Sequence, residues 1–235
     1  MKTIQPNKTL AEEAFAHLRQ AILDNELMPN QLYSATELGL KLGGISRTPV
    51  REAAQWLEKA GFVRIEKNRG IRILSSSLDQ LIETFQIRLM LEVPLTKQAA
   101  MLRTESQLLL LNQCFAQFYA CAQSNDVQGT LEADRDYHLA ILAIVGNGKA
   151  NQIINDCRNT VLLSGRSTIP ESRDCLSTYQ DHVALHEAIQ QADVERAGWA
   201  MRCHIINTAQ LLVTQEAHKR KQWGSVDILS RLEAY

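Results

Sequence analysis

The sequence predicts a mainly α protein in two parts: an N-terminal winged helix-turn-helix (three helices plus a β-hairpin wing), then an all-α helical bundle. Three observations predict it. Apolar residues recur at helical spacing over residues 8–26 and again from residue 78 onward. Apolar–polar alternation, the mark of strands, is confined to residues 63–73. Ser75-Ser76-Ser77 separates the two patterns as the best candidate linker, giving domains over 1–75 and 76–235.

In the first helix, Leu10, Ala14, Leu18, Ala21 and Ile22 form one stripe, and Met28-Pro29-Asn30 breaks it. Ser34-Ala35-Thr36-Glu37 has the Ser-x-x-Glu form of a capping box and opens a short helix ending at Gly43-Gly44. Ser46 is expected to cap a third helix running to Lys59-Ala60, with Gly61 as its stop. Pro49 fits only in a first turn, which fixes that start and turns Val50, Ala54 and Leu57 toward the core. Val63 and Ile65, then Lys67-Asn68-Arg69-Gly70, then Ile71 and Ile73 describe a hairpin with a basic tip. Beyond the linker, helices are expected near 78–103, 106–124, 126–146, 149–166, 172–192 and 193–220, with one more short helix within 222–235.

The net charge of −1 is unevenly spread. Residues 1–75 hold 11 Lys and Arg against 8 Asp and Glu, whereas the remainder holds 14 against 18. A basic front and an acidic back suit a nucleic-acid-binding module joined to something else. Five cysteines at 114, 121, 157, 175 and 203, odd in number and without a Cys-x-x-Cys pair, fit free thiols in a reducing compartment. The start MKTIQPNKTL has no apolar leader, and Leu139–Val145 is far too short to span a bilayer. A cytoplasmic protein without a membrane partner is therefore expected.

Arg47 and Arg51 lie four apart beside Thr48 near the start of the third helix, so the two guanidiniums project together. They can meet phosphates or a guanine edge in a major groove, while Arg69 and Gly70 at the wing tip reach the backbone or minor groove. The plainer alternative is a solvated surface near Glu52 and Glu58. The stretch LGGISRTPVREAAQWLEKAGFVRIEKNRGIRI, and Ser46 to Ala53 throughout, resembles the DNA-binding domain of the GntR superfamily. That resemblance implies Arg47, Thr48, Arg51, Arg69 and Gly70 as DNA contacts. Three positions depart from the family pattern: Asn25 for a Gly, Lys67-Asn68-Arg69 for Pro-x-Arg, and Thr36 where some members carry an Arg.

In the second half, Asp134 and His138 share one helix face, and His182 and His204 fall on later segments. One carboxylate and three imidazoles can hold a divalent metal with open positions, although lone histidines are more often ordinary core or surface groups. His186, four residues after His182, leaves the pairing ambiguous and is read as a surface or supporting residue; His17 and His218 are read as surface groups. DRDYH, DHVALHEAI and MRCHI resemble the FadR-type branch with its FadR C-terminal (FCD) domain. The resemblance implies a metal at Asp134, His138, His182 and His204, Zn(II) first with Ni(II) or Mn(II) as alternatives. It also implies a small organic acid as effector, with Arg88 and, more weakly, Arg158 as its contacts. Arg88 has a plainer reading as the ion-pair partner of Glu92.

Gly146-Asn147-Gly148-Lys149 lacks Walker spacing and reads as a helix connection. The expectation is a homodimeric, ligand-responsive transcriptional regulator on a palindromic operator. Its rivals are a metal-dependent hydrolase, disfavoured because no Glu is identifiable beside the four residues, and a constitutive regulator with a structural metal.

Overall fold

In the computed structural model, which describes residues 9–24, 26–74, 78–163, 167–219 and 228–233, helix α1 (Leu10–Leu23) begins at a reciprocal cap. Thr9 accepts from the Glu12 backbone, and the Glu12 carboxylate accepts from Thr9 N at 2.7 Å. Ala14, Leu18 and Ile22 are buried as expected, but Leu10 is 58% exposed and Ala11 takes the inward place one residue later. Helix α2 (Ala35–Lys41) starts at the anticipated box, with Glu37 N donating to Ser34 Oγ and Ser34 N donating to Glu37. Helix α3 (Arg47–Lys59) starts at Ser46, yet the Ser46 side chain makes no capping bond. Val50, Ala53, Ala54 and Leu57 form its buried face, and Gly61 ends the run at φ 74°.

The hairpin has a third strand that alternation alone does not reveal, because two residues cannot show a period. β1 (Leu32–Tyr33), β2 (Val63–Glu66) and β3 (Gly70–Ile73) form an antiparallel sheet in the order β1-β3-β2. Asn30 N donates to Ile73 O, and Ile73 N donates to Gln31 O, which ties the α1–α2 connection to the wing. Gly70 sits at φ 143°, where a Cβ would lie 2.5 Å from Tyr33 O. That glycine is therefore demanded by the β1–β3 contact itself, before any ligand is considered.

The chain divides into two compact units, Met1–Ser77 and Leu78–Tyr235. Asn25 and the proposed linker 75–77 lie outside the described residues. The second unit contains α4 (Leu78–Leu102), α5 (Glu105–Gln123), α6 (Val127–Val145), α7 (Gly148–Leu163), α8 (Cys175–Gln180), α9 (Val183–Gln190), α10 (Val194–Lys219) and α11 (Ile228–Glu233). α4 packs on α10, α6 and α7, and α5 packs on α6 and α8. Phe85, Leu89, Phe118, Tyr137, Ile141, Leu185, Met201 and Ile205 fill the centre with almost no exposure. Each such side chain contributes roughly 1.5–3 kcal/mol by leaving water.

The single helix expected over 172–192 is instead two. Asp174 accepts from Ser177 N at 2.7 Å and starts α8 late. The Asp181 carboxylate takes Arg173 and Asn207, and His182 becomes the N-cap position of α9. Gly146, at φ 73°, closes α6 in the connection to α7.

Candidate metal centre and nucleic-acid interface

Asp134, His138, His182 and His204 converge, each offering one ligand atom, and all four atoms lie within 4.8 Å of one another. α6 supplies Asp134 and His138 one turn apart, the α8–α9 break turns His182 inward, and α10 supplies His204. His138 Nε2 and His182 Nε2 are 3.1 Å apart, and Asp134 Oδ1 is 3.0 Å from His182 Nε2. Donors bound at about 2.1 Å to one ion stand roughly 3.0–3.4 Å apart at octahedral or tetrahedral angles.

The outer ring nitrogens fix what the inner ones can do. His182 Nδ1 lies 2.8 Å from the Thr178 carbonyl oxygen, which can only accept, so Nδ1 carries a proton. His138 Nδ1 lies 2.8 Å from Glu92 Oε2 and likewise donates. His138 is neutral: burial, then the Arg158 charge, push its pKa down to about 3 against the pull of Glu92. Its Nε2 is therefore a lone pair. A divalent ion would satisfy all four donors at once. His204 is held neutral chiefly by burial, and its buried Nδ1 has no hydrogen-bond partner among the described residues. The donor set fits a metal ion.

Glu92, fully buried, reads from sequence only as the partner of Arg88, which misses its place beside the four residues. Its Oε1 accepts from Arg88 Nε at 2.6 Å, and its Oε2 accepts from His138 and from Arg158 Nη2 at 3.0 Å. Burial alone raises a carboxyl pKa, but Arg158, Arg88 and His138 outweigh it and hold Glu92 well below the usual range. Arg158 Nη1 also donates to Asp134 Oδ2 at 2.9 Å. Asp134 is likewise held low, since His182 and Arg158 overcome the cost of burial. A Glu not identifiable from sequence thus stands beside the four residues. Both Glu92 oxygens are already occupied, however, which leaves it unsuited to act as a base.

A cavity of about 60 Å³ adjoins the centre, its lining including Arg88, Asp134, Arg158, Arg173, Thr178 and His204. Arg88 keeps the Glu92 ion pair of its plainer reading and also faces this cavity, where its Nη2 is buried without a partner among the described residues. Arg158 does the same with its Nε. Arg173 bonds Asp181 and donates to Thr168 at 2.8 Å. It precedes α8 in an irregular stretch where no periodicity points to it. His186 is no surface group: it is 6% exposed, meets Tyr137 Oη at 3.1 Å and stacks on Phe115 at 3.9 Å. His17 and His218 are exposed.

In the first unit, Arg47, Thr48 and Arg51 are exposed at the start of α3. They belong to the face whose surface groove is lined by Thr36, Arg47, Arg51, Gln55, Lys67 and Arg69, among others. Arg69 is 68% exposed and pairs with Glu66 at 3.0 Å. The wing tip and the recognition-helix start thus border one groove. Gln55, a turn beyond Arg51, was not anticipated, although the 47–51–55 spacing carries it.

A tri-helical head with a basic wing, joined in one chain to an α bundle with a cavity bordered by Arg88, Asp134, Arg158 and His204, is the architecture of a DNA-binding regulator with an effector-binding domain. Residues 10–73 match the family described as bacterial regulatory proteins, gntR family, and residues 83–207 match the FCD domain. The chain belongs to the GntR family of DNA-binding transcriptional regulators and carries an FCD domain. It is 23% identical over 222 residues to the transcriptional repressor RspR of Escherichia coli, covering 94% of this chain and 96% of that one. It is 28% identical over 222 residues to the repressor NanR of Citrobacter rodentium, covering 84% and 83%. Among solved structures, Lar of Listeria monocytogenes superposes with a TM-score of 0.69 at 20% identity, covering 88% of this chain and 98% of that one. E. coli McbR/YncC gives 0.61 at 19% identity, covering 89% and 100%. The families and relatives are regulators, not enzymes. No helix among the described residues is long and apolar enough to cross a membrane.

Proposed function

We propose that this protein is a cytoplasmic, homodimeric regulator whose operator affinity is set by a small carboxylate-bearing metabolite at a metal-containing site in the helical unit. The observation that carries this reading is a cluster of atoms able to ligate a metal, beside a cavity where two buried guanidiniums each keep one N–H group without a partner among the described residues. A carboxylate is the natural complement of both: a hard oxygen ligand for a divalent ion such as Zn(II), Ni(II) or Mn(II), and an acceptor for Arg88 and Arg158. When bound, the metal supplies an open coordination position for that oxygen. The protein orients the acid with its guanidiniums, and Thr178 and Glu92 hold His182 and His138 in the ligating tautomer. Arg47, Thr48, Arg51, Arg69 and Gly70 contact a palindromic operator from the two heads of the dimer.

The test is a thermal-shift screen of small carboxylic acids, run with Zn(II) and again after chelation. A ligand at about 100 times its Kd adds roughly 2.7 kcal/mol. Stabilisation by an acid that vanishes on chelation is expected, with the same acid changing operator affinity. If chelation alone collapses the fold and no acid shifts it, the metal is structural and the reading fails.

A further inference from the structure

We propose that Glu92 is the positioning residue that joins the metal centre to the anion cavity, orienting His138 for the ion while anchoring both cavity guanidiniums. The inference rests on the metal reading above and adds a residue that none of the ligand motifs contains. Three contacts carry it. Glu92 Oε2 receives the His138 Nδ1 proton at 2.8 Å, which leaves Nε2 as the lone pair facing Asp134 and His182. The same oxygen receives Arg158 at 3.0 Å, and the other receives Arg88 at 2.6 Å. Arg158 then returns to Asp134 at 2.9 Å, so a single α4 carboxylate links both guanidiniums to the two α6 ligands.

A carboxylate behind an imidazole fixes its tautomer and raises its basicity as a ligand, and losing such a partner typically weakens metal binding 10–100-fold. Here the carboxylate also neutralises two buried cations. Without it their charge would stand uncompensated beside the ion's ligands and oppose a divalent cation. A purely structural ion pair would hold Arg88 and Arg158 but leave the metal affinity untouched.

The experiment measures Zn(II) affinity of the full chain by competition with a chromogenic chelator, in the absence of any acid, for the wild type and Glu92→Gln. Glu92→Leu alone strands the buried Arg88 guanidinium, whereas Arg158 keeps Asp134, so the paired variant Arg88→Met with Glu92→Leu serves as the second probe, its folding checked by circular dichroism. Long-range proton–nitrogen spectra of the metal-free proteins report the histidine tautomers. Zn(II) binding weakened 10–100-fold in both variants is expected, with the Nδ1–H tautomer of His138 no longer the sole form in the paired variant, where Leu offers Nδ1 no acceptor, and His182 unchanged. Equal zinc affinity in all three proteins overturns the proposal, whatever the tautomers do. A wild type that takes no zinc overturns the metal reading as well, which separates the two failures.

Discussion

Acidifying the metal-free protein should destabilise its helical unit steeply between pH 7 and 5. His138 is pushed down to about 3 and His186 to about 4 from an ordinary 6.5, in both cases chiefly by burial. A folded-state pKa below the unfolded one means the unfolded chain binds more protons throughout the interval between them. Stability is then highest above about 6.5 and falls as the pH drops through that value. Each histidine contributes about 1.4 kcal/mol per pH unit once well below 6.5, or about 2 kcal/mol between pH 7 and pH 5. The pair removes about 4 kcal/mol, a large share of the 5–15 kcal/mol typical of a domain. His204, also held low, acts in the same direction. Urea titrations of the chelated protein at pH 7 and pH 5, followed by far-ultraviolet circular dichroism, read this loss directly. A stability that is the same at the two pH values would refute the claim that these imidazoles are buried and neutral.

Zn(II) at about 100 times its Kd should add roughly 2.7 kcal/mol, a Tm rise of about 5–10 °C that His182→Ala abolishes; differential scanning calorimetry checks it. Replacing Arg47 and Arg51 together with Ala should leave the fold intact, because both are exposed, and cut the slope of log affinity against log salt on duplex DNA by about 2 per head, or about 4 for the dimer. Fluorescence anisotropy measures that slope. Ser34→Ala should cost about 1 kcal/mol through its lost cap, whereas Ser46→Ala should cost little because that side chain caps nothing, and comparing the two denaturation midpoints decides it. Gly70→Ala should cost about 1–3 kcal/mol, from positive φ and the Tyr33 carbonyl, seen as a lowered melting midpoint.

Much of this was legible because it is local. The Ser34–Glu37 box, Pro49 in a first turn, and the Asp134–His138 spacing each depend on residues within one turn. What escaped depends on contacts across the chain. β1 is visible only through its partner β3, and the break at Asp181–His182 only through Arg173 and Asn207. Glu92 reads from sequence as the partner of Arg88, since the pairing with Arg158 and His138 spans 66 and 46 residues. His186 looked peripheral because nothing local announces Phe115 and Tyr137 as its neighbours.

Tyr33 over Gly70 divides the wing into a braced stem and an unbraced tip. From residue 70 onward the second arm is stitched to 30–33 as well as to β2, so any change there must be matched in the α1–α2 connection. Residues 67–69 carry no such obligation beyond a tolerance for positive φ at Asn68. The tip is thus an interchangeable cassette: exchanging Lys67-Asn68-Arg69 for another tripeptide with Asn or Gly in the middle should change the charge the wing presents without refolding the head.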